Sequence, residues 1–275
     1  MRADDIVKRL EHEGIPNSKQ EALWITAHAL GVNNAEIFAR DNFSADEERK
    51  IDALISRRVI DREPLQYILG EADFYGRDFR VGKGVLIPRT DTETLIEGVK
   101  RCFDVDDEFY FLDWGTGSGC IAVTILLEFP KSYGYMLDIS GEALSYAREN
   151  LSRYGVNKRA EIIGEVSGVP DPLDLIISNP PYIPSGEING LMREVKDHEP
   201  HTALDGGADG MKYYREIFCL AAAKLKRGGY IIFETGNLNQ VEALKNFYCS
   251  VEFETVDVID DGGNFPRCLI LRRID

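Results

Sequence analysis

The sequence predicts an α/β fold: an open, mostly parallel seven-stranded sheet ending in an antiparallel hairpin, with a small helical bundle ahead of it. Three observations carry this reading. From about residue 109 onward, strand-length apolar runs alternate with helical segments, the pattern of βαβ units. The last two strands are joined only by Asp260-Asp261-Gly262-Gly263-Asn264. A parallel crossover needs about a dozen residues, so these two pair antiparallel. The first 70 residues, finally, carry helical capping signals and helical apolar spacing.

In chain order, Ser18-Lys19-Gln20-Glu21 has capping-box spacing before Ala22-Leu23-Trp24-Ile25. Ser44-Ala45-Asp46-Glu47 repeats that signal before Ile51, Leu54, Ile55 and Val59, whose spacing gives the helix one buried face. Residues 1–70 are expected to form a bundle that either caps the main domain or receives a macromolecular substrate. Ten basic against fifteen acidic residues over 1–75 make it a poor reader of DNA. Residues 71–87 are expected to be a connector, because Phe74-Tyr75-Gly76-Arg77-Asp78-Phe79-Arg80-Val81 alternates about a glycine and predicts a short hairpin. Residues 88–275 are expected to form the main domain, in which Ile87-Pro88-Arg89-Thr90-Asp91-Thr92-Glu93 opens a helix running to about Cys102. Strands follow over 109–113, 133–138, 160–164, 173–178, 229–234, 251–258 and 267–272. Helices fall near 118–129, 140–153, 210–226 and 238–248.

Composition narrows the function classes. Apolar residues make up 44% and charged residues 29%, as in a soluble protein with a full core. A formal charge of −15 argues against tight nonspecific binding to a phosphate backbone. The amino-terminal Met1-Arg2-Ala3-Asp4-Asp5 leads into no apolar stretch, so no signal peptide is expected, and no run is long enough to span a membrane. Cys102, Cys120, Cys219, Cys249 and Cys268 are odd in number and lack CxxC spacing, which fits reduced core thiols in the cytoplasm better than disulfides or zinc. His198 and His201 read as surface or packing residues, and no metal site is expected.

Two segments carry chemistry. The first is Phe109-Tyr110-Phe111-Leu112-Asp113 running into Trp114-Gly115-Thr116-Gly117-Ser118-Gly119-Cys120: strand, glycine turn, helix, where glycines let a ligand approach the backbone. The spacing is GxGxG, neither the GxGxxG of dinucleotide sites nor a P-loop. Asp138 closes the next strand, where a carboxylate can accept both hydroxyls of an adenosine ribose. These features imply a nucleoside ligand and leave NAD open. The second segment is Asn179-Pro180-Pro181-Tyr182, which closes the apolar run 173–178. Two prolines remove two N–H donors and stiffen the backbone, so the Asn179 carboxamide and nearby carbonyls become fixed acceptors for a planar NH2 group. Tyr182 offers a flat face for the substrate. A clamp for a sluggish nitrogen suits acceptance of a methyl group and favours S-adenosylmethionine over NAD. Glu165, just past the third strand, is then a candidate acceptor for the adenine amino group, with the Val166 backbone nearby.

The residues resemble a family. Asp113-x-Gly115-Thr116-Gly117-Ser118-Gly119, Ser178-Asn179-Pro180-Pro181-Tyr182, Ile87-Pro88-Arg89 with Asp91 and Glu93, Glu63-Pro64-Leu65 with Tyr67 and Gly70, and Glu199-Pro200 leading to Ala203-Leu204 and Gly206-Gly207 are similar to the HemK/PrmC release-factor glutamine methyltransferases. The resemblance runs from about Glu63 to the carboxyl terminus. Trp114 departs from it where an aliphatic residue is usual, and Glu165 where Asp is usual. It implies a class I, Rossmann-like S-adenosylmethionine-dependent methyltransferase fold, and N5 methylation of the glutamine in the Gly-Gly-Gln loop of class I peptide chain release factors, with S-adenosylhomocysteine as the by-product. By position, Gly115 to Gly119, Asp138, Glu165, Val166 and Asn179 would hold the cofactor. Asn179, Pro180, Pro181 and Tyr182 would hold the glutamine, Asn179, Pro180 and Tyr182 serving catalysis, and Arg89 would close the pocket. Asn179 would accept one amide N–H on its side-chain oxygen, and the Pro180 carbonyl the other. An adenine-N6 or other nucleic-acid amine methyltransferase would use the same clamp, but the acidic charge weighs against it, as the intact clamp weighs against a noncatalytic adaptor.

Overall fold

The computed structural model describes residues 3–40, 42–248 and 252–274. The N-terminal part is α1 (Ala3–His12), α2 (Ser18–Leu30), α3 (Asn34–Phe38), α4 (Ala45–Val59) and α5 (Leu65–Leu69). Ile6, Leu10, Ile25, Ile51, Ile55 and Ile68 meet in a core of their own. The α4 capping box forms: the Glu47 carboxylate accepts the Ser44 N–H at 2.9 Å, and Ser44 Oγ accepts the Glu47 N–H at 3.4 Å. The one expected at Ser18 does not. Asn17, in the left-handed region at φ 54°, is the cap without a side-chain bond, while Ser18 Oγ donates back to the Ile15 carbonyl. Glu21 instead accepts from Arg58 Nε at 2.6 Å and Nη2 at 3.1 Å. The buried Arg58 guanidinium needs a carboxylate more than a helix end does, because an uncompensated buried charge costs several kcal/mol (roughly 3–5) and a missing cap about 1. A box not predicted closes Asn33 on Glu36 at the start of α3.

The hairpin expected after the helical part forms over residues 71–80. β1 (Glu71–Phe74) pairs antiparallel with β2 (Arg77–Arg80) about Tyr75 and Gly76, both at positive φ as a two-residue turn of this hand requires. A 3-10 turn at Thr90–Thr92 leads into α6 (Glu93–Cys102). The main domain continues as β3 (Tyr110–Trp114), α7 (Cys120–Glu128), β4 (Tyr133–Leu137), α8 (Gly141–Arg153), β5 (Ala160–Ile163), β6 (Leu173–Ser178), α9 (Arg193–Lys196), α10 (Lys212–Lys224), β7 (Leu225–Glu234), α11 (Leu238–Tyr248), β8 (Phe253–Asp260) and β9 (Pro266–Arg273).

The sheet order is β5-β4-β3-β6-β7-β9-β8; the strands are parallel except β9, which runs antiparallel to both β7 and β8. Several boundaries move. β7 begins at Leu225 rather than 229 because Leu225, fully buried, pairs with Leu173 across a bulge, which also ends α10 at Lys224. α7 begins at Cys120 rather than 118, since Ser118 and Gly119 stay in the glycine turn. The strand expected from residue 251 has its first residue outside the described residues; its described part runs to Asp260. Both faces of the sheet are covered, so central strands are apolar on both sides. Phe111, Leu175, Ile177 and Ile232 pack toward α6 and α7, and Leu112, Ile176, Ile231 and Phe233 toward α10.

Candidate active site

β3 and β6 lie side by side, yet the chain fills the sheet outward from them in opposite directions, which opens a crevice at their carboxyl ends. The glycine turn after β3 and the Asn-Pro-Pro-Tyr segment after β6 therefore meet there, and Ser178 Oγ ties them by donating to the Trp114 carbonyl at 2.7 Å. The turn is pinned from below: the Gly115 and Thr116 N–H groups donate to the Leu137 carbonyl at 2.8 and 3.0 Å. Two of its glycines are required for different reasons. A Cβ on Gly115, at φ 73°, would meet no atom within 4 Å, so its backbone faces open space where a ligand can lie. A Cβ on Gly119, at φ 80°, would lie 2.7 Å from Met136 Cε, so this glycine serves packing beneath the turn.

Asp138 stands beside the turn. Its Oδ2 accepts the Gly117 N–H at 2.9 Å and its Oδ1 the Ser140 N–H at 2.8 Å, leaving each oxygen a further lone pair for a ligand hydroxyl. Asp113 lies fully buried behind it. Burial pushes its carboxyl up to about 7 against the pull of the Thr116 hydroxyl and the Ala122 N–H, while the Asp138 charge pushes the same way as burial. Asp113 Oδ1 has no hydrogen-bond partner.

A cleft of about 220 Å³ runs over these groups. Its lining includes Gly115, Thr116, Gly117, Ser118, Asp138, Glu165, Val166, Asn179, Pro181, Arg89 and Thr92, together with Trp114, whose ring lies 5.4 Å from that of Tyr213. Glu165 and Val166 are exposed at its rim. Gly119, Pro180 and Tyr182 lie outside the lining. Pro180 is buried, and Tyr182 packs its ring on Gly236 and turns its hydroxyl inward. The open backbone over Gly115 and the free lone pairs of Asp138 suit a nucleoside ligand.

Sequence reasoning passed over two residues behind Asn179. The Asn179 Nδ2 donates to Thr92 Oγ1 at 3.0 Å, and that hydroxyl donates to Glu234 Oε2 at 2.5 Å. Tyr182 donates its hydroxyl to Glu234 Oε1 at 3.2 Å, and Tyr214 donates to the Glu234 carbonyl. Burial pushes the Glu234 carboxyl up to about 7, opposed by the Thr92 and Tyr182 bonds and the Arg267 charge. A carboxylate ending the apolar run Tyr230-Ile231-Ile232-Phe233, one strand from the crevice, was the available signal for it.

Arg89 donates to the buried carboxylate of Glu199, the charge of which is disfavoured by burial and favoured by Arg89. It borders both the cleft and a groove of about 470 Å³ that also touches Trp24, Arg58, Met192 and Glu194, between the helical part and the segment leading to Glu199. His198 and His201 sit at the surface with Nε2 at 2.7 Å from the Asp61 carbonyl and 3.0 Å from the Lys196 carbonyl. Among the described residues no group of three or more His, Cys, Asp or Glu could hold a metal ion, and no helix is long and apolar enough to cross a membrane. Cys102, Cys120, Cys219 and Cys268 are free; Cys219 is exposed rather than in the core, and Cys249 lies outside the described residues.

A family model described as PrmC N-terminal domain matches residues 4–70, and one described as Methyltransferase small domain matches residues 92–195. A release factor glutamine methyltransferase of Koribacter versatilis is 38% identical over 85% of this chain and 84% of its own length. Another, of Thermodesulfovibrio yellowstonii, is 33% identical over 99% of each chain. A solved methyltransferase from Pyrococcus furiosus shares the fold with TM-score 0.55 at 16% identity, over 83% of this chain and 99% of that one. With relatives matching it from end to end and both family models aligned on it, this chain belongs to the release factor glutamine methyltransferase family.

Proposed function

We propose that the protein transfers a methyl group from S-adenosylmethionine to the side-chain nitrogen N5 of the glutamine in the Gly-Gly-Gln loop of class I peptide chain release factors, and so tunes translation termination in the cytoplasm. One observation carries this reading: the Asn179 carboxamide, its amino end engaged by Thr92, opens on the same cleft as the glycine turn and Asp138. When bound, S-adenosylmethionine supplies an electrophilic methyl carbon, and the electron pair of the broken C–S bond stays on sulfur.

In this reading Asp138 takes the ribose hydroxyls, the open face of Gly115 takes the chain of the donor, and Glu165 with the Val166 backbone flanks the adenine. Asn179 Oδ1 and the Pro180 carbonyl accept the two N–H groups of the target amide, and Pro181 and Tyr182 hold the segment rigid behind it. An amide nitrogen is a poor nucleophile because its lone pair is delocalised. As the N–C bond forms, that nitrogen becomes positive, both acceptor bonds strengthen, and its proton then leaves to water. Alignment of the reactants can contribute roughly 7–11 kcal/mol, and each strengthened acceptor roughly 1.5–3 kcal/mol, so positioning outweighs any single acid or base.

Residues 1–70 would receive the release factor, 71–87 would connect, and 88–275 would perform transfer. The groove between the helical part and residues 192–199 supports that division, since it meets the cleft at Arg89. Labelled methyl donor offered with purified release factor, DNA and RNA in parallel provides the test. Label on a single glutamine of the release factor is expected; label in nucleic acid, or in nothing, overturns the proposal.

A further inference from the structure

A carboxamide is nearly symmetric in shape and opposite in chemistry at its two ends, so half a turn about its terminal bond exchanges an acceptor for two donors. At Asn179 that choice decides whether an incoming NH2 group is held or repelled. The chain of bonds behind it settles the choice. An ionised Glu234 carboxylate can only accept. Thr92 has one hydroxyl proton, and at 2.5 Å from Glu234 Oε2 that proton is committed to the carboxylate. What Thr92 Oγ1 turns to Asn179, at 3.0 Å, is therefore a lone pair, which selects the Nδ2 end and leaves Oδ1 for the cleft. Glu234, 1% exposed, fixes Tyr182 with its other oxygen, so one carboxylate sets both ends of the Asn-Pro-Pro-Tyr segment.

We propose that Thr92 and Glu234 are positioning residues for methyl transfer, acting as a polar relay that dictates which end of the Asn179 carboxamide faces the substrate. This rests on reading the cleft as the methyl-transfer site. Glu234 is outside the cleft lining and acts through Thr92 and Tyr182.

Thr92→Val and Thr92→Ser in the full-length protein separate the relay from packing. Valine keeps the volume and removes the hydroxyl; serine keeps the hydroxyl and removes a methyl. The relay predicts that Thr92→Val lowers kcat for release-factor methylation by about 10- to 100-fold, the scale of one hydrogen bond to a charged group, with KM for S-adenosylmethionine unchanged, and that Thr92→Ser recovers most of kcat. A kcat for Val equal to or above that of Ser overturns it. Should Thr92→Val fail to fold, side-chain amide exchange in the wild-type protein decides, with the Asn179 NH2 resonances assigned by their loss in Asn179→Ala. Slow exchange is expected, and exchange as fast as a free carboxamide overturns the proposal. Wild-type protein that methylates no release factor would instead sink the functional reading, a result distinct from either.

Discussion

Replacing Asn179 by alanine removes the acceptor that faces the cleft and the donor that ties the segment to Thr92, and nothing that touches the Asp138 side. The lost acceptor is one that strengthens as the amide nitrogen becomes positive, worth roughly 1.5–3 kcal/mol. At about 1.4 kcal/mol per tenfold, that is a fall of about 10- to 150-fold in the methyl-transfer step, before any cost of misalignment is added. Folding stability should drop by only about 1 kcal/mol, the net worth of the single bond to Thr92. Single-turnover transfer of labelled methyl to release factor, with calorimetric binding of S-adenosylmethionine, separates the effects: a slower chemical step and an unaltered donor affinity are expected. Asn179→Asp sharpens the test. It keeps an oxygen toward the cleft but sets a second acceptor against Thr92 Oγ1, whose proton already goes to Glu234, so it too should be impaired. A wild-type single-turnover rate in Asn179→Ala would refute the clamp outright.

Asp138→Ala should act on the other reactant, weakening S-adenosylmethionine binding by about 10- to 100-fold through lost hydroxyl acceptors and freed Gly117 and Ser140 N–H groups, as calorimetry would register. Gly119→Ala should lower folding stability by about 1–3 kcal/mol in denaturant titrations, because a left-handed backbone and a 2.7 Å approach to Met136 Cε both oppose the new methyl group. Asp113 and Glu234 make a paired prediction in pH. Burial raises both folded-state values to about 7, above their unfolded values, so their contribution to stability is complete at acid pH and is lost as pH rises through 7. Stability should climb from pH 8 to pH 5 by roughly 2–3 kcal/mol per group, measured by urea unfolding. Turnover should fall over the same range, because a protonated Glu234 no longer obliges Thr92 to donate. The groups facing Glu234 besides Thr92 are Arg267, Asp91, Tyr182, Tyr214 and Cys268. A stability profile flat between pH 5 and pH 8 would contradict the first part, and a flat turnover profile the second.

The architecture was legible along the chain because its signals are local. Strand-length apolar runs marked the strands, the five-residue Asp260–Asn264 link forced an antiparallel end, and Ser44 with Glu47 marked the start of α4. The two segments that flank the crevice were legible for a related reason: glycines with positive φ and an Asn-Pro-Pro-Tyr turn are requirements of backbone geometry, and backbone geometry is written in residue type. Where the reading failed, at Ser18, a long-range partner had outbid a local one, since Glu21 is drawn to Arg58, 37 residues away.

What the sequence determined by itself was the order of elements, the two segments that flank the crevice and the acidic character that disfavours a phosphate backbone. Tertiary structure alone decided that Thr92, from the turn before α6, meets Asn179 across 87 residues of chain and Glu234, at the end of β7, across 142. It likewise turned the Tyr182 hydroxyl inward and made Arg89 the boundary between cleft and groove. The physical reason is that a hydrogen bond's polarity depends on which donors and acceptors are brought within reach in a buried space, and no spacing along a strand or helix encodes that.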